Sequence, residues 1–232
     1  MLKQYHLYYV ILIIVVSGGS VFSLTKDEVF RSINTKKKQP DFAYKTDIIS
    51  KTHIQGQTVK DSGLLLYSPP DCFKITMYVS KTEVSTIGDT TWTTMPDGNV
   101  TRSVGDDGMS VLGNMNQTAS TPDIGEIIKK SDFEIVNEVP GKYVVIEFTM
   151  KGLRGSQNAQ ATYDTKKWLL RNMKILGGPA GTVEIGYQYE KFNGFYMMSK
   201  INMVMGAIGF MKLHYQNYRK IRKISRKKFK TF

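Results

Sequence analysis

The residue types that usually carry catalysis or hold a metal are sparse in this chain and poorly spaced for either task. His6 lies in an N-terminal segment with the pattern of an export signal. That leaves His53 and His214, which lack the i, i+4 spacing that sets two imidazoles on one helix face, so no metal site is expected. Gly108-Met109-Ser110-Val111-Leu112-Gly113 places a serine between glycines, but one residue too many precedes the second glycine for a nucleophile elbow, and a turn is expected. Gly152-Leu153-Arg154-Gly155-Ser156 has neither the length nor the lysine of a phosphate loop. Asp106-Asp107 sits in a Gly-, Asn- and Ser-rich stretch and reads as solvated charge. Cys72 is the single cysteine, so no intramolecular disulfide can form; it reads as a small buried hydrophobe. The chain is not expected to be an enzyme, and no cofactor is implied.

What the sequence offers instead is adaptable apolar surface. Met197, Met198, Met203, Met205 and Met211 cluster near the C-terminus, and unbranched thioethers repack around ligands of differing shape. Such a cluster suits a cavity for acyl chains, and ordinary core packing explains it as well.

The elements that must position this surface follow from periodicity. Lys3 and His6 precede the aliphatic run Val10 to Val16, and Val21 and Ser23 suit a signal peptidase, so residues 1–23 are expected to be a cleaved signal peptide. The apolar run is shorter than the roughly 20 residues of a membrane span, and an uncleaved anchor is the alternative. One domain is expected over 24–218, followed by a basic tail at 219–232. Thr25-Lys26-Asp27-Glu28 has the spacing of a capping box and predicts a short helix with Val29, Phe30 and Ile33 on its apolar side, ended by Lys36-Lys37-Lys38-Gln39-Pro40.

From Phe42 the period becomes alternating. Phe73, Ile75, Met77 and Val79 form one face of a strand; Val144, Ile146, Phe148 and Met150, then Val183, Ile185, Tyr187 and Tyr189, then Met211, Leu213 and Tyr215 repeat the pattern. Short turn signals such as Pro96-Asp97-Gly98, Pro140-Gly141 and Asn193-Gly194 join antiparallel neighbours. Thr121-Pro122-Asp123 predicts a second helix, with Ile124, Ile127 and Ile128 as its stripe. The fold class is α+β: a curved antiparallel sheet with short helices on its concave side. Phe73, Ile75, Met77 and Trp92 are expected to face that side, with Met203, Ile124, Ile127 and Ile128 completing the lining.

The formal net charge of +12 is concentrated at the C-terminus. Arg219, Lys220, Arg222, Lys223, Arg226, Lys227, Lys228 and Lys230 fall within twelve residues, and the rest of the domain is close to neutral. A basic tail on an exported domain meets anionic lipid, an acidic partner or nothing, and no specific nucleic-acid binding is expected.

The stretch from Ser62 to Lys74, with its Leu64-Leu65-Leu66-Tyr67-Ser68-Pro69-Pro70-Asp71 turn, resembles the second sheet region of the LolA/LolB-type lipoprotein-carrier superfamily. Gly88 to Gly98, with Trp92 and Pro96, is similar to that family's next strand and turn, and Lys167 to Ile175, Gly177 to Gly181 and Val183 to Tyr187 to its C-terminal hairpins. The resemblance spans about Leu24 to Tyr218. It implies an unclosed β-barrel with helices lidding a cavity for a lipid or for lipoprotein acyl chains, in a monomeric periplasmic carrier that moves its cargo toward the outer membrane. Ser68 stands where the carrier has an arginine before its first turn proline, so no arginine gate is carried over. A lipid-sensing module of an envelope-stress system, working with an inner- or outer-membrane protein, is the alternative, and a secreted hydrolase is the third reading.

Overall fold

The computed structural model describes residues 24–35, 40–104, 128, 132–152, 155–178 and 181–229. The alternation that begins after Phe42 folds as thirteen strands: β1 (Tyr44–Ile54), β2 (Gln57–Ser68), β3 (Cys72–Met77), β4 (Glu83–Ile87), β5 (Thr90–Thr94), β6 (Val100–Val104), β7 (Phe133–Val139), β8 (Tyr143–Gly152), β9 (Gly155–Asp164), β10 (Leu169–Gly178), β11 (Gly181–Phe192), β12 (Phe195–Met205) and β13 (Gly209–Lys220). They form one sheet in the order β6-β5-β4-β3-β2-β1-β13-β12-β11-β10-β9-β8-β7. Two meanders are thus joined where β1 pairs antiparallel with β13, and β6 and β7 are left as the edges of an unclosed barrel.

Helix α1 (Lys26–Thr35) starts on the expected capping box. The Thr25 amide donates to the Glu28 carboxylate at 2.8 Å, and the Glu28 amide donates to Thr25 Oγ1 at 3.2 Å. The Thr25 amide, and then the Thr25 hydroxyl donating to the same oxygen at 3.0 Å, hold the Glu28 carboxyl below its usual range. Val29 and Ile33 turn into the core, and Lys26, 3.1 Å from Asp132, ties the helix beside β7.

The core is the inner face of the sheet, continuous from Tyr67 and Leu65 on β2 through Tyr44, Tyr215, Ile201 and Ile185 to Met173, Ala161 and Ile146. A bulge is needed to keep it continuous. Register shifts between Lys45 and Asp47, and Asn217 adopts φ +58° opposite, so that Tyr215 and Tyr218, three residues apart, both pack inward. The Thr46 hydroxyl, buried at the bulge, donates to the Gln216 carbonyl at 2.8 Å.

One strand is shorter than its alternation predicts. β3 ends at Met77, and Val79 is 65% exposed because its amide, with that of Ser80, turns away to donate to the buried Asp61 carboxylate at 2.8 and 3.0 Å. Of the second predicted helix only Ile128 is among the described residues; it is helical and buried in the same core. Ile124 and Ile127, the Asp106-Asp107 pair, the Gly108–Gly113 stretch and the signal segment lie outside the described residues.

Candidate functional site

The inner face is built by register, row by row. Phe73 pairs with Tyr67 and with Thr86, and Thr86 with Thr91. Ile75 pairs with Leu65 and with Val84, and Val84 with Thr93. Met77 pairs with Gly63, where a Cβ would collide with the Thr76 carbonyl and the Met77 sulfur; only glycine leaves space for that thioether. Phe73 is buried, whereas Ile75 and Met77 are half-buried. These three expected lining residues therefore lie side by side on one face.

Trp92 does not join them. The two-residue turn at Gly88-Asp89 pairs Ile87 with Thr90, which sets Trp92 opposite Ser85 on the outer face beside Lys74. Thr91 and Thr93 take the inner positions instead. Apolar parity misassigned this strand because the inner face turns from aliphatic to threonine toward β6, so its one large apolar residue points outward. Met203 is buried between Ile185 and the partly buried Met211 on adjacent strands, and Met197 and Met198 are buried in the same core farther along β12.

What parity alone did not flag is a set of polar groups on this apolar wall. The hydroxyls of Tyr44, Tyr163 and Tyr187 are buried and make no hydrogen bond, whereas Tyr189 and Tyr218 donate to the carbonyls of Leu170 at 2.9 Å and Met198 at 2.5 Å. A buried hydroxyl without a partner costs about 1–3 kcal/mol, so these three are an unmet polar demand within the apolar core. Burial raises the ionisation of Tyr44, Tyr163 and Tyr187 well above the ordinary phenol range, and Tyr67 is pushed up to about 12 by burial and then by Asp71 and Cys72. All stay neutral hydrogen-bonding groups at physiological pH. Tyr187 and Tyr215 were legible as inner-facing from the alternation; their chemistry on that face was not.

Elsewhere the chemistry is thin. Cys72 is buried, and burial first, then Asp71, raises its thiol pKa. His53 and His214 share the outer face but pair with Phe210 and Ile49 and not with each other. Among the described residues no group of three His, Cys, Asp or Glu side chains is placed to hold a metal, and no helix is long and apolar enough to cross a membrane.

The C-terminal cations are part of the fold. Arg219 and Lys220 belong to β13; Arg219 lies 3.2 Å from Asp47, and the Lys220 ammonium sits 5.0 Å over the Phe42 ring. The chain then runs beside the Pro69-Pro70 turn, where Ser68 Oγ accepts the Ile224 amide and donates to the Ile224 carbonyl. Ser68 thus anchors this segment. Arg226 Nη2 donates to both Asp71 carboxylate oxygens, at 2.7 and 2.8 Å, and a 3-10 turn, Arg226–Phe229, buries Phe229 to 1% exposure. Arg222, Lys223, Lys227 and Lys228 remain exposed.

An open antiparallel sheet wrapped about an apolar inner face, with the short helix α1 packed against it, places the chain in an architectural class: it has a LolA-like fold. It is similar to a LolA superfamily protein from Nitrosomonas europaea, with TM-score 0.59 and 11% identity over 90% of this chain and 99% of that one. It is likewise similar to a domain assigned to outer membrane lipoprotein sorting from Vibrio parahaemolyticus, with TM-score 0.62 and 11% identity over 87% and 94% of the two chains. A DUF1329 family protein from Desulfovibrio piger matches with TM-score 0.61 and 14% identity over 88% and 95%. No family model and no curated protein matches the chain.

Proposed function

We propose that the protein is a non-enzymatic periplasmic carrier that holds a lipid, or the acyl chains of a lipoprotein, against the inner face of its sheet and moves it toward the outer membrane. The observation that carries this reading is the combination on one face of a wide apolar wall with the unpartnered hydroxyls of Tyr44, Tyr163 and Tyr187. An acyl chain hidden from water gains about 0.8 kcal/mol per CH₂, and ester or hydroxyl groups near its head would satisfy the orphaned phenols. The half-buried Ile75 and Met77, near the β6 edge of the unclosed sheet, support entry from that side. Phe73, Ile75, Met77, Met203 and Ile128 supply lining, and the mid-chain segment with Ile124 and Ile127 acts as a lid.

The division into a leader at 1–23, a binding domain from 24 and a basic C-terminal segment belongs to the same reading, with the expected boundary at 218 moved to Lys220 because Arg219 and Lys220 pair with β1 as the end of β13. In it Arg222, Lys223, Lys227 and Lys228 lend a secondary contact to an anionic membrane or a membrane-protein partner, and Arg219, Lys220 and Arg226 hold the segment in place.

Organic extraction of the purified protein followed by mass spectrometry tests the reading. Co-purified lipid in near-equal amount is the expected result, with Met77→Glu losing it and Tyr187→Phe retaining lipid but with altered headgroup preference. Protein that is lipid-free, and that does not take up a fluorescent fatty acid, would overturn it.

A further inference from the structure

The sheet has two ends. At the Pro69-Pro70 end lies the C-terminal segment; at the other end the β1–β2 and β12–β13 hairpins project side by side, coupled where the Gln55 amide donates to the Ile208 carbonyl at 3.2 Å. β3 reaches only Met77, opposite Gly63, so Gln57 to Ser62 of β2 extend beyond it.

Register gathers charge on the outer face of this projection. Lys51 lies directly between Lys60 on β2 and Lys212 on β13. Three like charges directly opposed across neighbouring strands repel one another, a destabilising arrangement that an anion relieves. All three are exposed, and among the described residues none meets a carboxylate. The adjacent Asp61 does not compensate them, because it is buried on the other face and engaged by the amides of Ser62, Val79 and Ser80. The next outer-face row toward the tip holds an aromatic pair: His53 stacks on Phe210 at 5.4 Å, and the Lys51 and Lys212 ammonium groups sit 5.8 and 5.2 Å from that ring.

At the tips Ile54 and Ile208 are each 39% exposed, and just behind them Val59, opposite Thr52, is 53% and Val204, opposite Phe210, 50% exposed. Lys51 stands three residues behind Ile54, about 10 Å along an extended strand. That spacing matches the roughly 5–10 Å depth of interfacial insertion, at which apolar tips reach the headgroup and acyl boundary and lysines behind them stay level with the headgroups.

We propose that the paired β1–β2 and β12–β13 tips form a docking surface for anionic phospholipid membranes, with Ile54 and Ile208 inserting and Lys51, Lys60 and Lys212 binding phosphate headgroups. An acidic protein would use the lysines but leaves the aliphatic tips without a function, so the membrane is the occupant the two features together favour. The surface is separate from the inner face and holds whether or not that face carries lipid.

Co-sedimentation of the full chain with phosphatidylglycerol-containing vesicles and with pure phosphatidylcholine vesicles at low salt tests it. Each cation contributes about fivefold to partitioning onto an anionic surface. Lys51→Gln/Lys60→Gln/Lys212→Gln should therefore lose on the order of a hundredfold on anionic vesicles, with its thermal melting unchanged or raised. Ile54→Ser/Ile208→Ser should lose binding with the lysines intact, and Ile208→Trp should shift its emission to the blue on anionic vesicles. Wild-type binding by the triple-glutamine variant, equal binding to both vesicle types, or binding to polyglutamate but to neither vesicle would overturn the proposal, whatever the lipid content of the purified protein.

Discussion

The molecule carries two basic regions, and they differ in how their charge is arranged. The C-terminal one is a run in the sequence, yet in the fold it is partly neutralised: Asp47 takes Arg219, Asp71 takes Arg226, and Phe229 pins the segment to the sheet. The hairpin-tip one is invisible as a run, since Lys51, Lys60 and Lys212 are scattered, yet the fold sets them in a row without counterions among the described residues. Charge density along a chain is therefore a poor guide to charge available at a surface. A cation held by a carboxylate is partly compensated, and one held beside other cations keeps its full demand for a partner.

The comparison can be broken most forcefully at Phe229. Its truncation to Ala empties a buried site and should cost about 3–5 kcal/mol of packing, releasing the C-terminal segment. Trypsin cleavage near Lys227 in the folded variant, at protease levels that spare the wild type, is the expected readout; equal resistance would mean that the segment is not pinned by this ring.

Gly209 tests the other end. At φ +153° it passes so close to the His53 carbonyl that a Cβ would overlap it, so Gly209→Ala should part β13 from the β1 tip at a cost of more than about 1 kcal/mol. Faster amide exchange confined to Lys51–Ile54 and Gly209–Lys212, together with weaker vesicle binding, would be seen.

Asp61 sharpens the comparison through pH. Burial raises its pKa, but hydrogen bonds from Ser80, Val79 and Ser62 outweigh that and leave it below the usual carboxylate range. Its folded-state pKa is depressed, so its stabilising contribution is present above the unfolded value of about 3.9 and is lost as pH falls through the folded one. Asp61→Asn should flatten the acid limb of the stability profile measured by denaturant melts below about pH 4. An unchanged acid limb would remove Asp61 as the clasp between β2 and the β3–β4 loop.

The smallest effect expected is on stability at neutral pH. Lys51→Gln relieves two like-charge cross-strand pairs and should raise stability by about 0.2–1 kcal/mol, whereas Lys223→Gln, outside any strand, should leave the melting temperature unmoved. A destabilised Lys51→Gln would mean that the row already has compensating charge.

Much of this was legible locally. The capping box at Thr25 and Glu28 formed as its spacing predicts, because both partners lie within one helical turn. Val144, Ile146, Phe148 and Met150 are buried in strict alternation for the same reason: a pleated strand needs no distant information to sort its faces. Trp92 is where the argument from local parity broke down. Whether an alternating strand is apolar inside or outside depends on its neighbour's register, and the Gly88-Asp89 turn set that register against the reading.

The sequence by itself determined a sheet protein with an apolar face, a capped first helix, little catalytic equipment and a resemblance to lipoprotein carriers, because periodicity, caps and residue chemistry are properties of neighbours along the chain. Only the tertiary structure decided that β1 pairs with β13, that the tyrosine hydroxyls share one buried wall, that Ser68 and Asp71 capture the C-terminal segment, and that Lys51, Lys60 and Lys212 stand side by side. Those contacts join residues as far apart as Tyr44 and Lys220, and their energies depend on which strands meet and in what register, which no local pattern of the chain encodes.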